Sequence, residues 1–115
     1  MQVRAVLRNH RGSARKARLV VDLVRGKAVE EALTVLDLSN KRVARPIAKL
    51  MRSALASAEQ KNARERAGID VENLVVKAIT VDRGPSMWRI RPRAQGRATW
   101  IQRRTSHITV VLEEV

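Results

Sequence analysis

A chain of 115 residues is long enough for one modest hydrophobic core and short enough to make a second domain unexpected. Its 24 lysines and arginines against 11 acids give a formal charge of +13, a field that repels copies of the chain and attracts polyanions. The lack of cysteine excludes a disulfide framework and thiolate metal sites, and no apolar run reaches secretory or membrane-spanning length.

The expectation is a cytoplasmic protein of one domain with a polyanionic partner. In "QVRAVLR", residues 2–8, Val3, Ala5 and Leu7 lie on one face and Arg4 and Arg8 on the other, the period of a half-buried strand. "HRGS" breaks it, and Ser13 is placed to cap a helix by accepting an N–H from its first turn. Over 14–25, Ala14, Ala17, Val20, Val21 and Val24 follow helical spacing, Arg15, Arg18 and Arg25 share another face, and Gly26 closes the last turn. A second helix is expected over 28–38, where Val29, Ala32, Leu33 and Leu36 form the stripe and Glu30 and Glu31 suit the positive N-terminal end. The third, over 42–65, carries Ile47, Leu50, Met51, Ala54, Leu55 and Ala58 on one side and Arg45, Lys49 and Arg52 on another, with Pro46 in the first turn.

After "ERAGID" the pattern turns to strand. In "VENLVVKAITV", Val75, Lys77, Ile79 and Val81 alternate with Leu74, Val76, Ala78 and Thr80. A matching run, "RTSHITVVL", puts Ile108, Val110 and Leu112 on one face. The fold class is α+β: three helices packed on a small antiparallel three-stranded sheet, two of whose strands extend as a long β-hairpin. Residues 1–115 form one domain, and 83–104 protrude from it.

The connector between those strands is chemically unusual. Residues 83–112 contain no carboxylate, and their positive charge is all arginine: Arg83, Arg89, Arg91, Arg93, Arg97, Arg103 and Arg104. Charge elsewhere comes in blocks, +7 over 1–27, −3 over 28–40, +6 over 41–66, −2 over 67–82 and +5 over 83–115, as if several surfaces touched one large anion. An extended arm from Val75 to about Ile90 spans on the order of 50 Å at ~3.3 Å per residue. A compact chain of this length has a radius of gyration of roughly 14 Å, so the arm must leave the body. Its large apolar residues from 83 to 100 are Met87, Trp88, Ile90 and Trp100, too few for a core, and an isolated ribbon is marginal in water. Something outside the chain orders it.

Folded RNA suits that role. Guanidinium groups fork onto phosphate and stack on bases, and each phosphate neutralised releases counterions. Trp88 can stack on an unpaired base for about 1–3 kcal/mol. Gly84-Pro85 and Arg91-Pro92 are expected to interrupt pairing, and Gly96 permits close backbone approach, an irregularity better matched to RNA than to duplex DNA. Other readings stay open: Trp88 as a core anchor, Trp100 as packing within the ribbon or touching a ligand, and the basic residues of the helices as phosphate contacts or a solvated face.

Catalytic patterns are poor. Ser106, His107 and Asp82 suggest a triad only on paper, because adjacent strand residues face opposite ways. His10 is distant, metal-ligand spacing, a P-loop and GxGxxG are all lacking, and no cofactor is expected. His107 reads as a structural hydrogen-bonding group or an RNA contact.

At this point the residues resemble a known family. "GPSMWRIRPRAQGRATWIQRRTSHITVVL", residues 84–112, closely resembles the signature of the large-subunit ribosomal protein twenty-two family, through Gly84-Pro85, Arg91-Pro92-Arg93-Ala94, Gly96-Arg97-Ala98 and Arg104-Thr105-Ser106-His107-Ile108. "SARKARLVVDLVRGKAVEEAL", 13–33, and "LMRSALASAEQKN", 50–62, are similar to the family's helices. The resemblance implies a non-catalytic structural protein of the large ribosomal subunit whose partners are large-subunit rRNA, neighbouring ribosomal proteins including large-subunit protein four near the hairpin tip, and the nascent peptide in the exit tunnel. Charge pattern and resemblance together give as expected rRNA contacts Arg15, Lys16, Arg18, Arg25, Arg83, Arg89, Arg91, Arg93, Arg97, Arg103, Arg104 and His107, of which the resemblance implies that Arg97, Arg103 and Arg104 hold the arms of the hairpin. The resemblance also implies a tunnel tip made of Met87, Trp88, Arg89, Ile90, Arg91, Pro92 and Arg93, near the macrolide site. Trp88 stands where many relatives have lysine, and Ile90 at a commonly aromatic position. A free-standing regulatory RNA-binding module is the alternative. A cationic membrane-active protein fits less well, for want of an amphipathic helix with bulky aromatics.

Overall fold

The computed structural model describes residues 2–65 and 73–114. The alternation at the start forms β1 (Gln2–Arg11), with Val3 buried and Ala5 and Leu7 half-buried. The strand does not stop before "HRGS" as expected. It passes through a bulge between Leu7 and His10, with Asn9 at φ 56, a left-handed conformation that asparagine tolerates better than most side chains.

α1 (Ala14–Val24) buries Ala14, Ala17, Val20, Val21 and Val24, the stripe its spacing predicts. Ser13 holds the N-cap position, but its hydroxyl makes no capping bond; only its carbonyl is engaged, accepting the Ala17 N–H at 3.2 Å. The chain leaves the helix at Arg25, which is extended (ψ 130), and Gly26 follows in the left-handed region at φ 80. The Gly26 N–H then donates to the Val76 carbonyl at 3.0 Å, and the Lys27 carbonyl accepts the Val76 N–H at 2.9 Å. α2 (Val29–Leu38) buries Val29, Ala32 and Leu36. α3 (Ala44–Glu65) begins just before Pro46, whose missing N–H falls among those without an intrahelical acceptor. Its buried side carries Ile47, Leu50, Met51, Ala54 and Ala58, with Leu55 half-buried. Apart from Glu65, the break expected at "ERAGID" lies outside the described residues.

β5 (Thr105–Glu114) is the central strand, antiparallel to β1 on one side and β2 (Leu74–Arg83) on the other. It sends Ser106, Ile108, Val110 and Leu112 inward. The simple alternation expected along β2 does not hold. Leu74 and Val76 face the core, the register shifts at Lys77, and Ile79 and Val81 then face the core instead of Ala78 and Thr80. Energy favours the bulge: an unbroken register would expose two branched side chains worth about 1.5–3 kcal/mol each, against roughly 0.5–1.5 kcal/mol for a ladder bond. The displaced Lys77 sits on the outer side and pairs with Glu113 at 3.2 Å. The helices cover one face of the sheet, α3 over β1 and β5, α1 over β2, and α2 against α3.

Beyond Arg83 the sheet stops. After Gly84–Ser86, β3 (Met87–Pro92) and β4 (Ala98–Arg103) form a separate two-stranded ribbon closed by a tight turn over Ala94–Gly96. The principal extents are 66 × 26 × 16 Å and the radius of gyration is 17.5 Å, well above that of a compact chain of this length. Of the two prolines expected to interrupt pairing, only Pro85 does so. Pro92 is the last residue of β3, opposite Ala98. A two-stranded ribbon has outer edges where a missing N–H costs no ladder bond.

Candidate nucleic-acid interface

The motif residues at the two ends of the acid-free segment meet at the joint between body and ribbon. The Gly84 N–H donates to the Thr105 carbonyl at 2.9 Å, and the Gly12 N–H to the Arg104 carbonyl at 3.0 Å. The Thr105 hydroxyl donates to the Pro85 carbonyl. Across the β1 bulge, the Asn9 N–H donates to His107 Nδ1 at 3.0 Å, so the bulge supplies the ring with a partner. Gly84 is needed by proximity: a Cβ there would lie 2.6 Å from Thr105 Oγ1 and 3.2 Å from both Cε1 and Nε2 of His107. His107 is thus a hydrogen-bonding part of the joint. Ser106 faces the core, fully buried, with its hydroxyl unpartnered among the described residues, while His107 takes the other face of β5. That arrangement gives no proton-transfer geometry.

Past the joint, the strand register sorts the ribbon into two faces. Directly paired residues share a face, so Trp88, Ile90 and Pro92 lie with Gln102, Trp100 and Ala98. Met87, Arg89 and Arg91 lie with Arg103, Ile101 and Thr99 on the other. Neither tryptophan anchors a core; Trp88 is 61% exposed and Trp100 63%. The tip expected over Met87–Arg93 is displaced. Met87 stands at the root, opposite Arg103, and the chain reverses over Arg93–Arg97, where the Arg93 N–H meets the Arg97 carbonyl at 2.6 Å. The reversal needs successive left-handed residues, supplied by Gln95 (φ 64) and Gly96 (φ 71), whereas the fixed φ of Pro92 is compatible with a strand.

The basic residues of α1 and its C-cap divide. Arg18 donates from Nε and Nη2 to the Val81 carbonyl at 3.3 and 2.9 Å. Arg25 donates from Nη2 to the Ile79 carbonyl at 2.8 Å and pairs with Asp22 at 2.6 Å. Together with Gly26, they close the free edge of β2, which would otherwise offer its carbonyls to another strand. These bonds engage some of the donors of each guanidinium, because β2 is an edge strand with acceptors to satisfy, and both side chains remain solvent-exposed. Arg15 and Lys16 remain turned to solvent. Arg15 borders a small groove at the joint with Arg83 and Arg104, and Lys16 lines a cleft of 1140 Å³ between the ribbon root and the starts of α1 and α3. That cleft also gathers Arg11, Lys41, Arg42, Arg89, Arg103 and Arg104, with no acid among its described lining residues. Arg11, Lys41 and Arg42 escaped sequence reasoning: they belong to separate basic blocks, and only the fold converges them. Arg52 is occupied by Asp37, at 2.9 and 3.0 Å.

The open cleft lined by basic residues leads onto an arginine-faced ribbon, a surface of strongly positive potential. Among the described residues, no cluster could hold a metal ion, and no helix is long and apolar enough to cross a membrane. Comparison with known sequences agrees with the arrangement along its length: the sequence model of the family described as "Ribosomal protein L22p/L17e" matches residues 5–113. The chain belongs to this family. Among curated relatives, large ribosomal subunit protein uL22 of Bdellovibrio bacteriovorus is 54% identical over 114 residues, covering 99% of both chains. Proteins of the same name from Syntrophotalea carbinolica and Desulfotalea psychrophila are 52% and 54% identical, again over 99% of both chains. The joint and the ribbon thus lie wholly within the span the family shares.

Proposed function

We propose that this chain is a non-enzymatic structural constituent of the large ribosomal subunit, cytoplasmic in bacteria, that binds large-subunit RNA and supports assembly of the particle. One observation carries the reading: a solvated ribbon with arginines on one face and at its turn, in a thirty-residue segment with no carboxylate, built onto a body that gives it no core. In this reading residues 1–115 act as one domain, with 83–104 as its extension. The basic cleft and joint grip RNA near the body, through Arg11, Arg15, Lys16, Lys41, Arg42, Arg83 and Arg104. Arg89, Arg91 and Arg103 hold it along the ribbon. The turn with Arg93 and Arg97 reaches the exit-tunnel wall beside large-subunit protein four and the nascent peptide, a placement supported by the family resemblance and by the 66 Å length of the molecule.

The test is to wash purified large subunits of the source organism with increasing salt and follow this chain by mass spectrometry. A protein held by six to ten phosphate contacts loses about 10³–10⁵ in affinity between 50 and 200 mM salt when free. The free chain should therefore show a steep salt slope on large-subunit RNA fragments, and the assembled chain should leave only in concentrated salt. Its absence from purified subunits would end the reading.

A further inference from the structure

We infer that the face of the ribbon bearing Trp88, Ile90 and Trp100 is a stacking platform for unpaired RNA bases, separate from the arginine face that takes phosphate. The inference rests on the RNA-binding role proposed above. Ladder register puts Trp88 and Trp100 at diagonal positions of one face, about 7–8 Å apart, a spacing that consecutive nucleotides of one strand can bridge. Ile90 stands directly opposite Trp100, a cross-strand pairing of branched and aromatic side chains of the kind that stabilises a sheet. Gln102, the ladder partner of Trp88, carries an amide carbonyl and an NH₂, the acceptor and donor that a base edge requires.

The three apolar side chains are 61%, 56% and 63% exposed, and the ribbon contributes no other layer to cover them. Their cover must tolerate the arginines behind them and at the turn. A second copy of a +13 chain is repelled, and three side chains fall far short of the roughly 800 Å² per partner of a stable protein interface. Unpaired RNA offers both chemistries on one molecule: phosphates for Arg89, Arg91 and Arg103, and flat π-faces for the indoles. Duplex RNA offers only the first, because its bases are already stacked.

Both tryptophans of the chain lie on this face, so the intrinsic fluorescence of the full-length protein reports on it alone. The experiment titrates the protein at fixed low salt with a twelve-nucleotide oligoadenylate, an RNA duplex with the same number of phosphates, heparin, and vesicles of anionic phospholipid. Oligoadenylate should quench the emission, while duplex and heparin bind with little quenching. Trp88→Ala and Trp100→Ala should each weaken oligoadenylate binding about tenfold, within the range expected for one lost stack, and leave duplex affinity and salt slope unchanged. Trp88→Phe and Trp100→Phe should retain most of the affinity. Far-UV circular dichroism should confirm folded variants, since neither indole is part of the core. If the alanine variants bind oligoadenylate as tightly as the parent, with the salt slope intact, the platform is refuted and RNA binding stands. If no RNA binds at moderate salt, both readings fall. A response to vesicles alone would assign the face to lipid and overturn the inference.

Discussion

Replacing Gly84 by alanine would set a methyl carbon 2.6 Å from Thr105 Oγ1 and 3.2 Å from two atoms of the His107 ring. The hydroxyl can turn away, but it then abandons the Pro85 carbonyl, a loss of about 0.5–1.5 kcal/mol. The ring is harder to displace, since Asn9 holds its Nδ1 from the other side, and overpacking of this kind costs about 1–3 kcal/mol. Reduced freedom of the unfolded chain returns about 0.4–1 kcal/mol, leaving a net destabilisation of about 2 kcal/mol. At an unfolding entropy of about 2.1 cal/mol/K per residue, that lowers the midpoint by about 8 °C. Urea and thermal unfolding of the parent, Gly84→Ala, Thr105→Ala and the double variant close a thermodynamic cycle. Removing the Thr105 hydroxyl should relieve the worst approach, so the double variant should be at least ~1 kcal/mol more stable than the sum of the singles implies. An additive cycle, or a Gly84→Ala protein as stable as the parent, would refute the close-packed joint.

Other perturbations separate body, edge and ribbon. Met51→Ala should cost about 2–5 kcal/mol in urea unfolding because the side chain is fully buried, whereas half-buried Leu55→Ala should cost clearly less. Arg18→Ala should lower stability by about 1 kcal/mol through loss of the donors to Val81, and Arg18→Lys should not restore the paired geometry. Replacing 87–103 by a short turn should leave the unfolding midpoint within a few degrees of the parent in calorimetry, as that segment adds nothing to the buried core. Changing Arg89, Arg91 and Arg103 together to Gln should reduce the logarithmic salt slope of binding to unpaired RNA by about 2, measured by filter binding.

Elements whose periodicity matches their burial are legible in the sequence. The α1 stripe, the α3 stripe and the inward face of β5 all emerge from spacing alone. Where the chain departs from a regular period, spacing fails. The β1 and β2 ladders each shift register, near Asn9 and at Lys77. Such a bulge is chosen by which side chains must be buried later along the strand, so local alternation cannot locate it. The arginines show the same boundary. Composition identifies the acid-free segment, but Arg18 on α1 and Arg25 at its C-cap lie beside an edge strand, whose carbonyls engage some of their donors. Conversely, Arg11, Lys41 and Arg42 acquire a shared cleft only when β1 and the start of α3 meet the ribbon root. The reversal escapes because Pro92 looks like a turn residue, while Gln95 carries no mark of its left-handed backbone.

On the proposed reading, folded RNA holds the β3–β4 ribbon in place, and the described residues of the body offer it no core. A density map of the assembled large subunit tests it most directly. The ribbon should extend away from α1, α2 and α3, with phosphates within hydrogen-bonding reach of Arg89, Arg91 and Arg103. A ribbon folded back on those helices, with no phosphate near its guanidinium groups, would contradict it.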